Sequence, residues 1–188
     1  MSTRNERRQR KKQLGRRVLD HPVTKRMKRN LREGGKAATE VFRLEGETPE
    51  RHLYFDVYSM KKWAEAHGQL VVSTLCWERV NRMRSNGAID EDRLANHTTK
   101  QQMEPIIIGI DAAGPGEDQI LDGSHRFFAY AMAASAAGME GAPLPLPAYA
   151  LEPAEWRQFL IPRFIAKAMR FDETDDDMSA DVADGFRA

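Results

Sequence analysis

Gln119-Ile-Leu-Asp-Gly-Ser-His-Arg-Phe-Phe-Ala-Tyr-Ala-Met-Ala-Ala134 decides how this chain folds. A short apolar strand runs into a tight turn, and an Ala-rich helix follows. The turn brings Gly123, Ser124, His125 and Arg126 to the helix start. Backbone N–H groups without intrahelical partners gather there with the positive end of the helix dipole, which suits a phosphate or carboxylate. Arg126 adds a planar fork that grips phosphate oxygens in pairs. His125 adds a group that changes charge near neutral pH and can act as acid, base or donor. Ser124 is either the helix N-cap or a further phosphate donor. Asp122 either braces the turn or holds a magnesium ion through water.

Working upstream, Gly114-Pro-Gly116 reads as a hairpin turn that joins the Gln119–Leu121 strand to Ile106-Ile-Ile-Gly-Ile110, a buried type of strand begun by Pro105. Before it, Asp90 is expected to cap a helix reaching Gln102. Arg79, Arg82 and Arg84, with Asn86 and Gly87, read as an exposed loop after the strand Leu70–Leu75. Ser59 reads as the N-cap of a helix ending at Gly68, and Val41–Leu44 and His52–Val57 as short strands. Downstream, Ala148–Leu151 is a final strand, and Pro153 opens a helix through Ile161. Trp63, Trp77 and Trp156 read as core anchors, while Phe127, Phe128 and Tyr130 pack the central helix on the sheet. The single cysteine, Cys76, forbids an internal disulfide and reads as a core thiol between Leu75 and Trp77.

The two ends of the chain differ sharply in charge. Residues 1–36 carry 14 Lys and Arg against 3 Asp and Glu, and the remainder carries 15 against 25, so the net charge of +1 conceals a basic arm on an acidic body. The arm holds few apolar residues (Leu14, Val18, Leu19, Met27, Leu31). It is expected to be a solvated, partly disordered segment or a weak amphipathic helix. Arg7, Arg8, Lys11, Lys12, Arg16 and Arg17 are its candidate DNA contacts, because clustered cations displace counterions from phosphates. An acidic protein surface is the other partner such an arm fits. At the far end, Asp172, Glu173, Asp175, Asp176, Asp177, Asp181 and Asp184 form an acidic tail, either solvated or folded back on a basic arm. The start of the chain lacks the apolar core of a signal peptide, and no run approaches the roughly 18 apolar residues that span a bilayer. A cytoplasmic protein without membrane insertion is the expectation. No P-loop, HExxH or GxSxG pattern is present in the sequence. The expected architecture is α+β, a small mixed sheet flanked by helices over residues 37–165, with a basic arm at 1–36 and an acidic tail at 166–188.

The order of these pieces resembles the ParB/sulfiredoxin superfamily over about residues 70–161. Four segments carry the likeness. Ala88-Ile-Asp-Glu-Asp-Arg-Leu94 resembles the helix start after the first strand. Glu104-Pro105-Ile106 resembles the Pro-Ile/Val start of the second. Asp122-Gly-Ser-His-Arg126 with the following aromatics resembles the Gly-x-His-Arg-aromatic phosphate motif. Leu146-Pro-Ala148 resembles the Ile-Pro-Ala closing strand. Ser124 stands where sulfiredoxins have cysteine, and a hydroxyl cannot do the thiolate chemistry of sulfinic-acid reduction. Chromosomal ParB proteins have Gly-Glu-Arg-Arg at this turn and a following helix-turn-helix domain, for which too few residues remain here. In size and charge layout the chain is most similar to the fertility-inhibition factors of the oncogenic suppression group, carried by conjugative plasmids.

That resemblance implies ATP hydrolysis and DNase activity, with ATP as substrate and Mg²⁺ or another divalent metal assisting. It also implies blocked export through a type IV secretion system, with the coupling ATPase or relaxosome as partner. It places the start of the second strand near the anion turn, so Glu104 becomes a candidate to activate water or hold the metal. Arg126, His125 and Glu104 are the candidate catalytic residues. Gly123, Ser124 and Arg126 are candidate phosphate ligands, joined by Arg82 and Arg84 from a loop that faces the nucleotide in this superfamily. The rival expectation is a non-enzymatic module that binds the secretion machinery, or a ParB-like DNA-binding adaptor.

Overall fold

A computed structural model describes residues 4–85, 104–169 and 171. The helices are α1 (Arg4–Asp20), α2 (Pro22–Gly34), α3 (Val57–His67), α4 (Trp77–Ser85), α5 (Ser124–Ala136), α6 (Pro153–Trp156) and α7 (Arg163–Ala168). The strands are β1 (Val41–Leu44), β2 (Leu53–Asp56), β3 (Gln69–Thr74), β4 (Ile106–Gly114), β5 (Glu117–Asp122) and β6 (Pro145–Leu151). The described residues are thus mixed α+β, with seven α-helices and two small sheets. No helix among them is long and apolar enough to cross a membrane. The chain divides into two compact units, residues 1–60 with 159–188, and residues 61–158.

In the first unit, β1 and β2 pair antiparallel, from Val41 opposite Asp56 to Leu44 opposite Leu53. Tyr54, Met27, Ile161, Ile165, Ala166, Met169 and Phe171 form one apolar cluster. Helix α2 belongs to this core. His21 caps it by accepting the Val23 N–H at 3.2 Å, Pro22 occupies its first turn, and Thr24, Met27 and Asn30 are buried along one side. Residues 22–34 thus follow the helical alternative of the two expected for the arm, with Met27 on the packed face, rather than the solvated one. The core likewise runs past residue 165, where an acidic tail was expected to begin, because Met169 and Phe171 fold onto it. The acidic residues 172–184 lie outside the described residues, as do Asn86, Gly87 and the helix expected from Asp90 to Gln102.

Helix α3 starts two residues before the expected cap. Asp56, not Ser59, fills that role, its Oδ1 accepting the Ser59 N–H at 3.1 Å. The same carboxylate accepts from Arg26 Nε at 2.8 Å and from Asn30 Nδ2 at 3.3 Å, and it is only 1% exposed. A buried carboxylate is tolerated because each of these donors compensates its lost hydration.

The second unit holds a mixed sheet in the order β3-β6-β4-β5. The outer pairs are antiparallel and the central β4–β6 pair is parallel. Helix α5 is the crossover between those two parallel strands, the device such a pair requires. Side chains alternate between the faces of the sheet. Ile106, Ile120, Leu146 and Ala148 point to one side, where Val80 of α4 and Phe127, Phe128 and Ala131 of α5 complete a core. Trp77 and Trp156 anchor through their indole N–H groups, to the Ala142 and Ile110 carbonyls. The helix opened by Pro153 is one short turn that tightens into a 3₁₀ segment at Arg157–Phe159.

Arg79, Arg82 and Arg84 lie on helix α4 rather than on a loop, because Val80 is fully buried and Trp77 and Met83 pack beside it. Cys76 is exposed rather than core. Leu75 takes the inward position at the end of β3, leaving Cys76 at the turn into α4.

Candidate functional site

Strand pairing builds the site. Ile107 of β4 lies opposite Asp122 of β5, so the start of one strand and the end of the other are side by side. Glu104 and Pro105 therefore stand next to the turn into α5. Gly123 makes that turn with φ +89°, a left-handed conformation that favours glycine. A Cβ there would lie 2.8 Å from both Arg126 Nη2 and Ile106 Cγ2, so glycine also lets the arginine fold back across the turn. Gly123 is the N-cap residue and Ser124 the first helical residue, which corrects the capping role expected of Ser124.

Arg126 is 8% exposed. Its Nη2 donates to Asp122 Oδ2 at 2.8 Å and to the Pro105 carbonyl at 3.2 Å, and its Nη1 donates to Glu104 Oε2 at 3.2 Å. Its Nε is buried with no hydrogen-bond partner. A cation in the first turn of a helix opposes the helix dipole. Two of the protein's own carboxylates offset that here. Arg126 thus holds Asp122 and Glu104 in place, whereas the sequence suggested a direct grip on phosphate.

A cavity of about 210 Å³ opens beside these carboxylates, lined by Lys61, Glu65, Glu104, Pro105, Ile107, Asp122 and Tyr149. Lys61 Nζ lies 3.9 Å from Glu104 Oε2. Glu104 is 44% exposed and Asp122 17%, so both are partly open to solvent. Ile107 and Tyr149 point to the face of the sheet opposite Ile106 and Ala148, by the alternation of strand side chains. The cavity is therefore on the far side of the sheet from the α4–α5 core.

That placement explains which expected residues meet and which do not. Glu104, Asp122 and Arg126 come together. Ser124 and His125 are half-buried in the first turn of α5 and are absent from the cavity wall. Arg82 and Arg84 are on α4, across the sheet from it. Arg84 Nη2 approaches Met132 Sδ at 3.4 Å, and Arg79 Nη2 donates to the Asp118 carbonyl. Lys12, Arg16 and Arg17 are exposed on α1, in the other unit, where Arg17 lies over the Phe164 ring. Arg7, Arg8 and Lys11 fall within the same helix. Sequence reasoning missed Lys61, Glu65 and Tyr149. The i, i+4 spacing of Lys61 and Glu65 is common on exposed helix faces and gives no signal of a site.

Chemically, the wall offers carboxylates able to accept a proton or a metal ion and one lysine able to meet an anion. Among the described residues, no three His, Cys, Asp or Glu side chains converge as a metal-binding group. Two carboxylates still fit the magnesium mode in which one or two protein ligands share the ion with water and substrate phosphates. No protein-family profile, curated protein or solved structure matches the chain.

Proposed function

We propose that this chain is a phosphohydrolase of ParB/sulfiredoxin-like type. Its substrates are ATP and DNA, and in a plasmid-bearing cytoplasm it interferes with conjugative or T-DNA transfer through a type IV secretion system. The observation that carries the chemical part is the carboxylate pair Glu104–Asp122, fixed on one arginine at the wall of a cavity that also holds Lys61. The biological part rests on the sequence resemblance of the Gly-Ser-His-Arg turn and its flanking segments.

In this reading Asp122 would hold a Mg²⁺ ion, shared with water and substrate phosphates, which polarises a phosphoryl oxygen when bound. Arg126 is a positioning residue that keeps the two carboxylates apart and correctly turned. Lys61 meets the negative charge of the phosphate. Glu104, the more exposed carboxylate, takes the proton from attacking water.

The test is phosphate release from ATP, and nicking of plasmid DNA, by the purified full chain with Mg²⁺ and with EDTA. Turnover that EDTA abolishes is the expected result. A folded protein that turns over neither substrate overturns the catalytic reading.

A specific observation favours a second reading, a binding module without turnover. Arg126 is already engaged by internal carboxylates, while the α1 cations Lys12, Arg16 and Arg17 are exposed. That arrangement suits contact with DNA, or with an acidic surface of the secretion machinery, through the basic helix. Replacing Lys12, Arg16 and Arg17 by Glu would then abolish transfer inhibition, while Glu104→Gln would leave it intact.

A further inference from the structure

The two edges of the four-stranded sheet are built differently. Strand β5 is guarded in the way solitary edges usually are. Glu117 and Asp118 are exposed on it, and its register with β4 slips between Ile107 and Ile108 and again between Gly109 and Gly114. Strand β3 has none of these devices. Gln69-Leu-Val-Val-Ser-Thr74 has no charged residue and no proline, and it pairs with β6 without a break, from Gln69 opposite Ala150 to Thr74 opposite Pro145. Leu70 is 59% exposed and Val72 is 77% exposed.

The backbone of β3 can be oriented from one bond. Leu75 N donates to the Leu144 carbonyl at 2.9 Å, continuing the β3–β6 register. Bonded positions alternate along an antiparallel ladder. Ser73, Val71 and Gln69 therefore face β6, and the N–H and C=O groups of Leu70, Val72 and Thr74 face away from it. Among the described residues no strand pairs with that side. The free edge thus combines outward backbone groups with the two most exposed apolar side chains of the strand.

From this contrast we propose that β3 pairs antiparallel with β3 of a second copy of this chain, across a two-fold axis at Val72. Water can satisfy a row of outward N–H and C=O groups, but only another extended segment satisfies it while also covering the exposed Leu70 and Val72 side chains. The strand suits its own image because it carries no charge, so self-pairing sets no like charges opposite each other. The axis puts Val72 opposite Val72 and Leu70 opposite Thr74, with each Leu70 diagonal to the partner's Val72 on the same face. The result is an isologous contact that joins two four-stranded sheets into one.

The experiment is sedimentation of the full chain across the micromolar range, wild type beside Val72→Lys and Gln119→Lys. Both substitutions add one positive charge to an edge strand, one on β3 and one on β5. Neither replaces a fully buried side chain, and circular dichroism checks that each variant is folded. The wild type is expected to dimerise. Val72→Lys, which sets two lysines face to face at the axis, should weaken the dimer about tenfold or more, while Gln119→Lys should not. A wild type that stays monomeric throughout overturns the proposal. So does a folded Val72→Lys protein that dimerises as tightly as Gln119→Lys.

Discussion

Arg26 and Arg126 do similar work in the two units, with opposite outcomes for access. Each reaches a carboxylate that stands just before a helix, Asp56 ahead of α3 and Asp122 ahead of α5. Around Asp56 the donors close completely. Asn30 and the Ser59 N–H fill the remaining oxygen positions, and the carboxylate is 1% exposed. Around Arg126 the cluster stays open on one side. Glu104 is 44% exposed, faces a cavity and has a lysine within 3.9 Å. A sealed cluster fixes a fold, and an open one presents oriented charge to a ligand.

Asp56→Ala should break this parallel most severely. It removes both an N-cap and the partner of a half-buried arginine, at a cost of about 3 kcal/mol. Urea unfolding should show the loss, and Asp56→Asn, which keeps the acceptor of the Ser59 N–H, should lose less. Next comes Arg126→Met. It leaves Asp122 facing the turn without its cation, and about 2 kcal/mol is expected. In the same assay Asp122→Asn should cost more than Glu104→Gln, because Asp122 is the more enclosed partner. Gly123→Ala should cost about 2 kcal/mol, since alanine at φ +89° is strained and its Cβ meets the guanidinium. Thermal unfolding reads this directly, and a neutral result would mean the turn relaxes. Smallest in stability is Glu104→Gln, about 0.5 kcal/mol, because Glu104 is the more solvent-open partner of Arg126 and glutamine keeps an oxygen that accepts from its Nη1.

The same contrast explains what could be seen in the sequence. The Gly123–Arg126 turn, the hairpin before it and α5 after it were legible because glycine, a β-rich run and an alanine-rich run are local signals. Helix α4 was hidden by its charges. Four of its nine residues, Glu78, Arg79, Arg82 and Arg84, are ionic, and only Trp77, Val80 and Met83 mark its inward face. Helix α2 was legible only as a weak amphipathic helix, because polar Thr24 and Asn30 occupy the face that turns inward with Met27. Asn30 is there because Asp56, 26 residues away, needs a donor. No local pattern encodes that need. The candidate site was half legible for the same reason. Glu104, Asp122 and Arg126 lie within one hairpin and its following turn, whereas Lys61, Glu65 and Tyr149 reach the cavity only through α3 and β6. The resemblance to the ParB/sulfiredoxin superfamily rested on segments that include Glu104, Asp122 and Arg126 but none of Lys61, Glu65 or Tyr149.

Glu104→Gln is the sharpest probe of the cavity's chemistry, because this change barely alters stability and removes one charge from the cavity wall. Phosphate release and plasmid nicking in Mg²⁺ should be measured for the folded variant beside the wild type. Both activities are expected to be about a hundredfold or more lower in the variant than in the wild type, as when a general base is lost. Activities equal to those of the wild type would contradict this expectation and take the chemistry away from this cavity.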